Sequence, residues 1–456
     1  MTRTASSTRA GMSAAYEKAQ KERETLIMEQ KALLGDEAAE NVYHCIKCGL
    51  CAAHCPVYRE VRMEHASPRG KVQITKKMLE NDLSLTEEVK KTFLSTCLLC
   101  GSCVANCPSG VNQISLFSGV RWRALQKYGA DWRKRAMFSV LSSRWMMSAS
   151  AALGEWARRN FGGPWIESKM NAGALSVERI PVLNEKPFNE MVPEVAEPKQ
   201  GKIRAKVLYF HGCATKYLYG DVGLAVVDVL TRMGVEVIIP KDQGCCGLPV
   251  FFSGERKASI EVIRETLKLF ARDDVDAVII DCATCGSSLK NEYYHILKDL
   301  KDLGEDVTDA EIRAAQLLAS KVQDVSLFIE SHKDWLPPMK AGGEKIRVTY
   351  HDPCHLAKGQ KVVSQPRNLL KSIPGVEFVE MNGAIDCCGG GGSFQIDYPE
   401  ISAKITKRKT DNIEATKAEF CATGCPGCSL TISNHLDPSI KVTHTVQILQ
   451  KALQDG

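Results

Sequence analysis

Short runs of β-branched and aromatic residues alternate with longer stretches of helical periodicity through the second half of this chain. "VLYF" at 207–210, "VEVII" at 235–239 and "AVIID" at 277–281 read as strands, and "GLAVVDVLTRM" and "SIEVIRETLKLFA" between them as helices. Alternation of this kind predicts a parallel sheet with helices on both faces. In such sheets functional groups gather beyond the carboxyl ends of the strands, and Cys213, Cys282 and Cys354 each directly follow an expected strand. The cysteines are therefore expected to converge there.

The pattern occurs twice. "KVLYFHGC" at 206–213 matches "RVTYHDPC" at 347–354, and "GVEVIIPKDQGCCG" at 234–247 matches "GVEFVEMNGAIDCCG" at 375–389. Each copy reads strand, helix, strand, CCG loop, helix, strand, C-x2-C, helix. The cysteine spacing is CX31CCX35CxxC in the first copy and CX32CCX36CxxC in the second. The repeat sets boundaries at 206–345 and 346–456 for two α/β modules.

Helical signals dominate the first half. Ser67 ahead of Pro68 in "SPRGKVQITKKML" reads as a helix start, and Ser84 with Glu87 in "SLTEEVKKTFL" as a capping box. These place an all-helical domain over 41–120. A charged helix is expected over 13–39 within an N-terminal extension, 1–40, whose first twelve residues read as disordered. Residues 121–205 form a Trp/Arg-rich helical segment and then a linker marked by Pro181, Pro187, Pro193 and Pro198. Trp122, Trp132, Trp145, Trp156 and Trp165 fall in that segment, and two readings stand: an amphipathic surface lying on a membrane, or core and partner-protein contact.

Composition narrows the chemistry. The net charge of +5 is spread along helices rather than clustered, so no nucleic-acid partner is expected. No apolar run is long enough to span a bilayer, and "MTRTASSTRAGM" has no apolar leader core. The expected location is cytoplasmic, with a peripheral position at the inner face of the membrane as an extension. In a reducing compartment, nineteen cysteines point to metal or redox chemistry rather than disulfides.

Eight of those cysteines form two runs of C-x2-C-x2-C-x3-C-P: Cys45, Cys48, Cys51 and Cys55 before Pro56, then Cys97, Cys100, Cys103 and Cys107 before Pro108. Three closely spaced thiolates suit one iron-sulfur cube, while the fourth serves the other cube. One cubane [4Fe-4S] cluster would take Cys45, Cys48, Cys51 and Cys107, and the other Cys97, Cys100, Cys103 and Cys55. Zinc would instead call for paired C-x2-C elements. The remaining sets are Cys213, Cys245, Cys246, Cys282 and Cys285, and Cys354, Cys387, Cys388, Cys425 and Cys428. Adjacent cysteines suit a metal better than an intramolecular disulfide. Cys421 stands outside both sets and reads as a buried thiol. Around Cys354, His351, Asp352 and His355 admit two roles, proton carriers at a reduction site or hydrogen-bond partners that hold the ligand loop.

These motifs together, with "HDPCH" and "CCGGGGSF", resemble the CCG-domain family from about residue 40 to 450. That family includes the iron-sulfur subunits of glycolate oxidase, D-lactate dehydrogenase, anaerobic glycerol-3-phosphate dehydrogenase and heterodisulfide reductase. The resemblance implies a multidomain protein: an N-terminal all-helical two-cluster ferredoxin domain, then two repeated α/β CCG modules with parallel sheets. It also implies one or two noncubane [4Fe-4S] clusters on the CCG modules, each using the five cysteines of its module. No flavin or nicotinamide fingerprint is present, so FAD is expected only on a partner oxidase subunit. The expected role is an oxidoreductase subunit, incomplete alone, relaying electrons from a glycolate or D-lactate dehydrogenase flavoprotein to quinone or another acceptor. The alternative is a heterodisulfide-reductase-like subunit whose CCG cluster reduces a disulfide.

Overall fold

The computed structural model describes residues 34, 36–129, 183–199, 201–340 and 345–453, with scattered positions between 132 and 176. The expected disorder at 1–12, most of the expected helix over 13–39, and Trp156, Trp165 and Pro181 lie outside the described residues. Of the other tryptophans in the segment, Trp122 is buried while Trp132 and Trp145 are exposed.

The first part is helical. Its main elements are α1 (Pro56–Val61), α2 (Pro68–Leu79), α3 (Glu87–Ser95) and α4 (Gln113–Tyr128). Ser67 caps α2, its hydroxyl accepting from the Gly70 N–H at 2.9 Å, with Pro68 in the first turn as expected. At α3 the cap differs from the expected Ser84: Thr86 accepts from the Val89 N–H, because the helix begins two residues later than Ser84 could reach. Phe93, Phe117, Val72 and Val120 join α2, α3 and α4 in one small core.

The second part contains two sheets whose four parallel strands share one order. In the first, β1 (Val195–Ala196), β2 (Ala205–Phe210), β3 (Val235–Ile238), β4 (Ala277–Ile280) and β5 (Val322–Asp324) run β1-β3-β2-β4-β5. All its pairings are parallel except β1 with β3. The second sheet has β6 (Ile346–Tyr350), β7 (Val376–Phe378), β8 (Phe420–Ala422) and β9 (Lys441–Thr443) in the order β9-β8-β6-β7, all parallel. Central strands are buried along nearly their whole length, as helices on both faces require. On α5 (Gly220–Arg232), Val222, Ala225, Val226, Val229 and Leu230 supply the buried stripe at helical spacing.

The modules are not two separate cores. A single cluster runs from Val207 and Val226 in the first to Val348, Leu369 and Val446 in the second. Each module also lends its last helix to the other. Val325–Ser331, after β5, packs on α6 (Ser364–Ser372), while α7 (Thr445–Ala452), after β9, packs on α5. His444 Nε2 then meets the Asp281 carbonyl at 3.0 Å, and the Ala283 N–H donates to the Gly424 carbonyl at 2.9 Å. These bonds bring the two C-x2-C loops face to face.

Candidate functional site

Each four-cysteine run is bent by the same backbone choices. Gly49 and Gly101, just past the second cysteine, are left-handed at φ 82° and 70°, and so are Lys47 and Leu99 just before it, at 59° and 51°. A left-handed non-glycine residue costs on the order of 1–3 kcal/mol, so its repetition at matching positions marks a shape both loops must hold. Cys45, Cys48, Cys51 and Cys107 line one cavity, and Cys97, Cys100, Cys103 and Cys55 line another. The sulfurs are thus grouped in the crossed pattern that the spacing suggested. Cys55 reaches its cavity from the cap of α1, where its sulfur accepts from the Tyr58 N–H at 3.4 Å.

The two cavities differ electrostatically. Cys48 is exposed, as are its neighbours Ile46, Lys47 and Leu50, so the first set opens to the surface. The second is more enclosed, with Cys100 buried and the other three half-buried: desolvation pushes the Cys55 thiol up to about 12 and drives Cys103 upward too. Thiolates there need buried positive charge. Lys71 supplies it while donating to the Ala66 and Thr96 carbonyls at 2.7 and 2.8 Å. Arg121 supplies more, donating to the carbonyls of Phe93, of Cys97 at 2.6 Å, and, in the first module, of Phe252 at 3.0 Å. His44 and His54 are exposed.

In the first module Cys213 Sγ lies 3.8 Å from Cys245 Sγ, and Cys285 contacts both Cys246 and Cys282. In the second, Cys388 Sγ lies 3.4 Å from Cys428 Sγ, Cys387 contacts Cys354 and Cys388, and Cys428 contacts Cys425. Gly247 and Gly389 place backbone N–H groups on Cys245 and Cys387 at 3.5 and 3.4 Å. Donation from Cys245 and Cys387 lowers Cys246 and Cys388, so each module favours a thiolate at the same member of its CC pair. The structure brings together all five cysteines of each set. Cys421 sits apart, fully buried on β8, its thiol pushed up to about 12 by burial.

The histidines separate. His351 is fully buried, and burial holds its imidazole below the usual range; one ring nitrogen lies within 4.8 Å of the Cys388 and Cys428 sulfurs. His355 Nδ1 pairs instead with Thr284 Oγ1 at 3.3 Å, and Thr284 Oγ1 lies 3.5 Å from Cys425 Sγ. Asp352 faces away in a two-bond ion pair with Arg367, both bonds 2.7 Å. Sequence reasoning did not single out Lys71, Arg121 or Thr284, because nothing in a lone Lys, Arg or Thr marks burial beside sulfur.

The four sulfur sets stand in file. Cys51 of the first acts electrostatically on Cys103 of the second, Cys100 of the second contacts Cys387 of the second module, and Cys425 of that module contacts Cys282 of the first. All nineteen cysteines are free thiols, and the four sets account for all but Cys421. Soft donors in fours and fives, backed by N–H groups and buried cations, fit iron-sulfur clusters. Among the described residues no helix is long and apolar enough to cross a membrane.

Such an arrangement defines an iron-sulfur electron-transfer protein. Residues 41–111 match the 4Fe-4S dicluster domain, and residues 207–290 and 348–433 each match the Cysteine-rich domain (CCG). An uncharacterized iron-sulfur protein of Methanocaldococcus jannaschii is 30% identical over 422 residues, covering 90% of this chain and 73% of its own. The probable glycolate oxidase iron-sulfur subunit of Bacillus subtilis is 29% identical over 434 residues, covering 90% and 93%. A subunit of the dihydromethanophenazine:CoB–CoM heterodisulfide reductase of Methanosarcina mazei is 24% identical over 424 residues, covering 88% and 91%. The chain belongs to this CCG-domain iron-sulfur family, and is an electron-transfer subunit of the glycolate-oxidase-like or heterodisulfide-reductase-like oxidoreductases.

Proposed function

We propose that the chain is the iron-sulfur subunit of an FAD-linked 2-hydroxy acid dehydrogenase complex, oxidising glycolate or D-lactate on a partner flavoprotein. In this reading the ferredoxin cysteines hold two cubane [4Fe-4S] clusters, and the five-cysteine sets hold noncubane ones. The clusters, when bound, supply one-electron transfer between the flavin and quinone or another acceptor. The observation that carries the reading is the unbroken file of sulfur sets, which begins at the exposed Cys48 and ends at the first module. The chain's own residues keep that file charge-balanced. Lys71 and Arg121 offset negative charge at the second set, and the N–H groups of Gly247 and Gly389 do so at the modules. We place the protein in the cytoplasm, peripheral to the membrane where quinone is the acceptor.

A second reading has an observation of its own. The Cys282–Cys425 contact, with Thr284 beside it, makes the junction of two complete modules a place where a disulfide could meet both sulfur sets. That suits a heterodisulfide-reductase-like subunit. The test is anaerobic purification of the complex through a tag on this chain, followed by cluster absorbance before and after glycolate or D-lactate. Bleaching is expected, with iron at about eight atoms for the cubanes and roughly four more per filled module. Clusters that ignore both acids but, once reduced, re-oxidise with a heterodisulfide would replace the first reading by the second.

A further inference from the structure

Directly after Cys354 the chain makes a π-helical turn, His355–Gln360, that packs on the C-x2-C helix of the first module and reaches the second ferredoxin run. Wide turns of this kind gather at functional sites. One side lies on the C-x2-C helix of the first module. His355 meets Thr284, the Gln360 amide donates to the Ala283 carbonyl at 3.1 Å, and Gly359 is packed so closely that a Cβ there would lie 2.9 Å from Ser287 Oγ. The other side faces the ferredoxin loop. There Lys358 crosses the domain boundary, its ammonium donating to Ser102 Oγ at 2.7 Å, and Ser102 Oγ in turn lies 3.3 Å from Cys100 Sγ.

The setting of this half-buried lysine is unusual for a cation. Asp386, the carboxylate that acts on it, is engaged with Arg59 at 3.4 Å. The sulfurs of Cys100, Cys354 and Cys387 act on it more strongly. Its counter-charge is therefore shared between two different sulfur sets. A fixed positive charge beside a redox group favours the more negative, reduced form.

We propose that Lys358 is a positioning residue for electron transfer: lying between Cys100 and the Cys354/Cys387 pair, it raises the reduction potentials of both flanking groups together. The proposal rests on the cluster reading given above. Because one charge serves both groups, it shifts both potentials in the same direction, and removing it lowers both.

The experiment uses the full chain purified anaerobically, with iron content measured and midpoint potentials followed by EPR, without substrate or partner. Lys358→Met is expected to make reduction about tenfold less favourable at two of the clusters, a negative shift of about 59 mV for a one-electron couple. Lys358→Arg should stay near the wild type, and Lys361→Met, an exposed neighbour, should shift neither cluster. Lys358→Gln keeps a donor for Ser102 without the charge and serves where the Met variant loses iron. Unchanged midpoints in a fully loaded neutral variant would overturn the proposal. So would iron loss from both neutral variants but not from Lys358→Arg, which would make the lysine an assembly residue. Failure of the underlying reading looks different: the wild-type chain itself would hold less iron than two cubanes and one module require.

Discussion

Asp324 shows how a single buried residue ties the stability of this protein to pH. Its carboxylate caps the helix after β5, accepting from the Ser326 N–H at 2.9 Å and from the Ser326 hydroxyl, and it is almost fully buried. Burial outweighs those bonds and raises it from 3.8 to about 6. A carboxyl whose folded value lies above its unfolded one stabilises the fold in its neutral form. That contribution is complete below about pH 4 and is lost as pH rises through 6. The Asp324→Asn variant, which keeps an acceptor for the cap, should lack this loss. Its melting temperature relative to wild type is expected to climb between pH 4 and pH 7, by the equivalent of about 3 kcal/mol at most. Parallel thermal melts across that range check it, and equal slopes for the two proteins would contradict it. His351, also buried, could be named from the sequence as a residue near Cys354. Its approach to Cys388 and Cys428 could not, because they come from loops more than thirty residues farther along the chain.

At the scale of elements, Gly389, after the second CC pair, has two jobs. Its N–H reaches Cys387 Sγ. Gly389 also packs against the long helix α8 (Pro399–Ala415), at φ 93°, where a Cβ would sit 2.5 Å from Thr406 Oγ1 and 2.9 Å from the Ser402 carbonyl. Ser402 Oγ and Thr406 Oγ1 answer by donating to the Gly389 and Cys388 carbonyls at 2.9 and 2.8 Å. The helix thus fixes the CC pair through backbone, and only glycine allows it to come so close. Gly389→Ala is expected to push α8 away, lower the melting temperature by several degrees and reduce iron at the second module by about four atoms per chain. Iron analysis beside a melt reads both, and a fully loaded, equally stable variant would remove the helix from the account. The spacing of the repeat made strands, helices and cysteine order legible, since those follow from local periodicity. The cap of α3 was misplaced by two residues because Ser84 and Thr86 have equal chemistry and only the start of the helix chooses between them.

For the whole molecule, the repeat suggests two modules in sequence, whereas the fold exchanges their last helices and joins them in one core. Cutting after residue 340 would remove α7, leaving Val226, Val229 and Leu230 of α5 without the face that covers them. Each such side chain exposed forgoes about 1.5–3 kcal/mol of burial, so the three together forgo about 4.5–9 kcal/mol, comparable with the whole stability of an ordinary domain. The 1–340 fragment is therefore expected to be proteolysed rapidly through the first module, while the full chain melts with both modules in one transition. Limited proteolysis and calorimetry test this. A protease-resistant first module in the fragment would show that the shared core is dispensable.

The sequence by itself determined the chemistry of the chain and its local architecture. Cysteine spacing pointed to metal, the crossed grouping of the two ferredoxin runs followed from their proline-closed fourth cysteines, and strand and helix periodicity gave two like modules. Those properties are carried by residues a few positions apart, where spacing alone constrains geometry. Tertiary structure alone decided which sulfur sets are neighbours, which cations are buried between them, and that Lys358, Arg121 and Thr284 belong to the site. Such contacts join residues scores to hundreds of positions apart, and they form only when the shared core closes and draws the loops of three domains together.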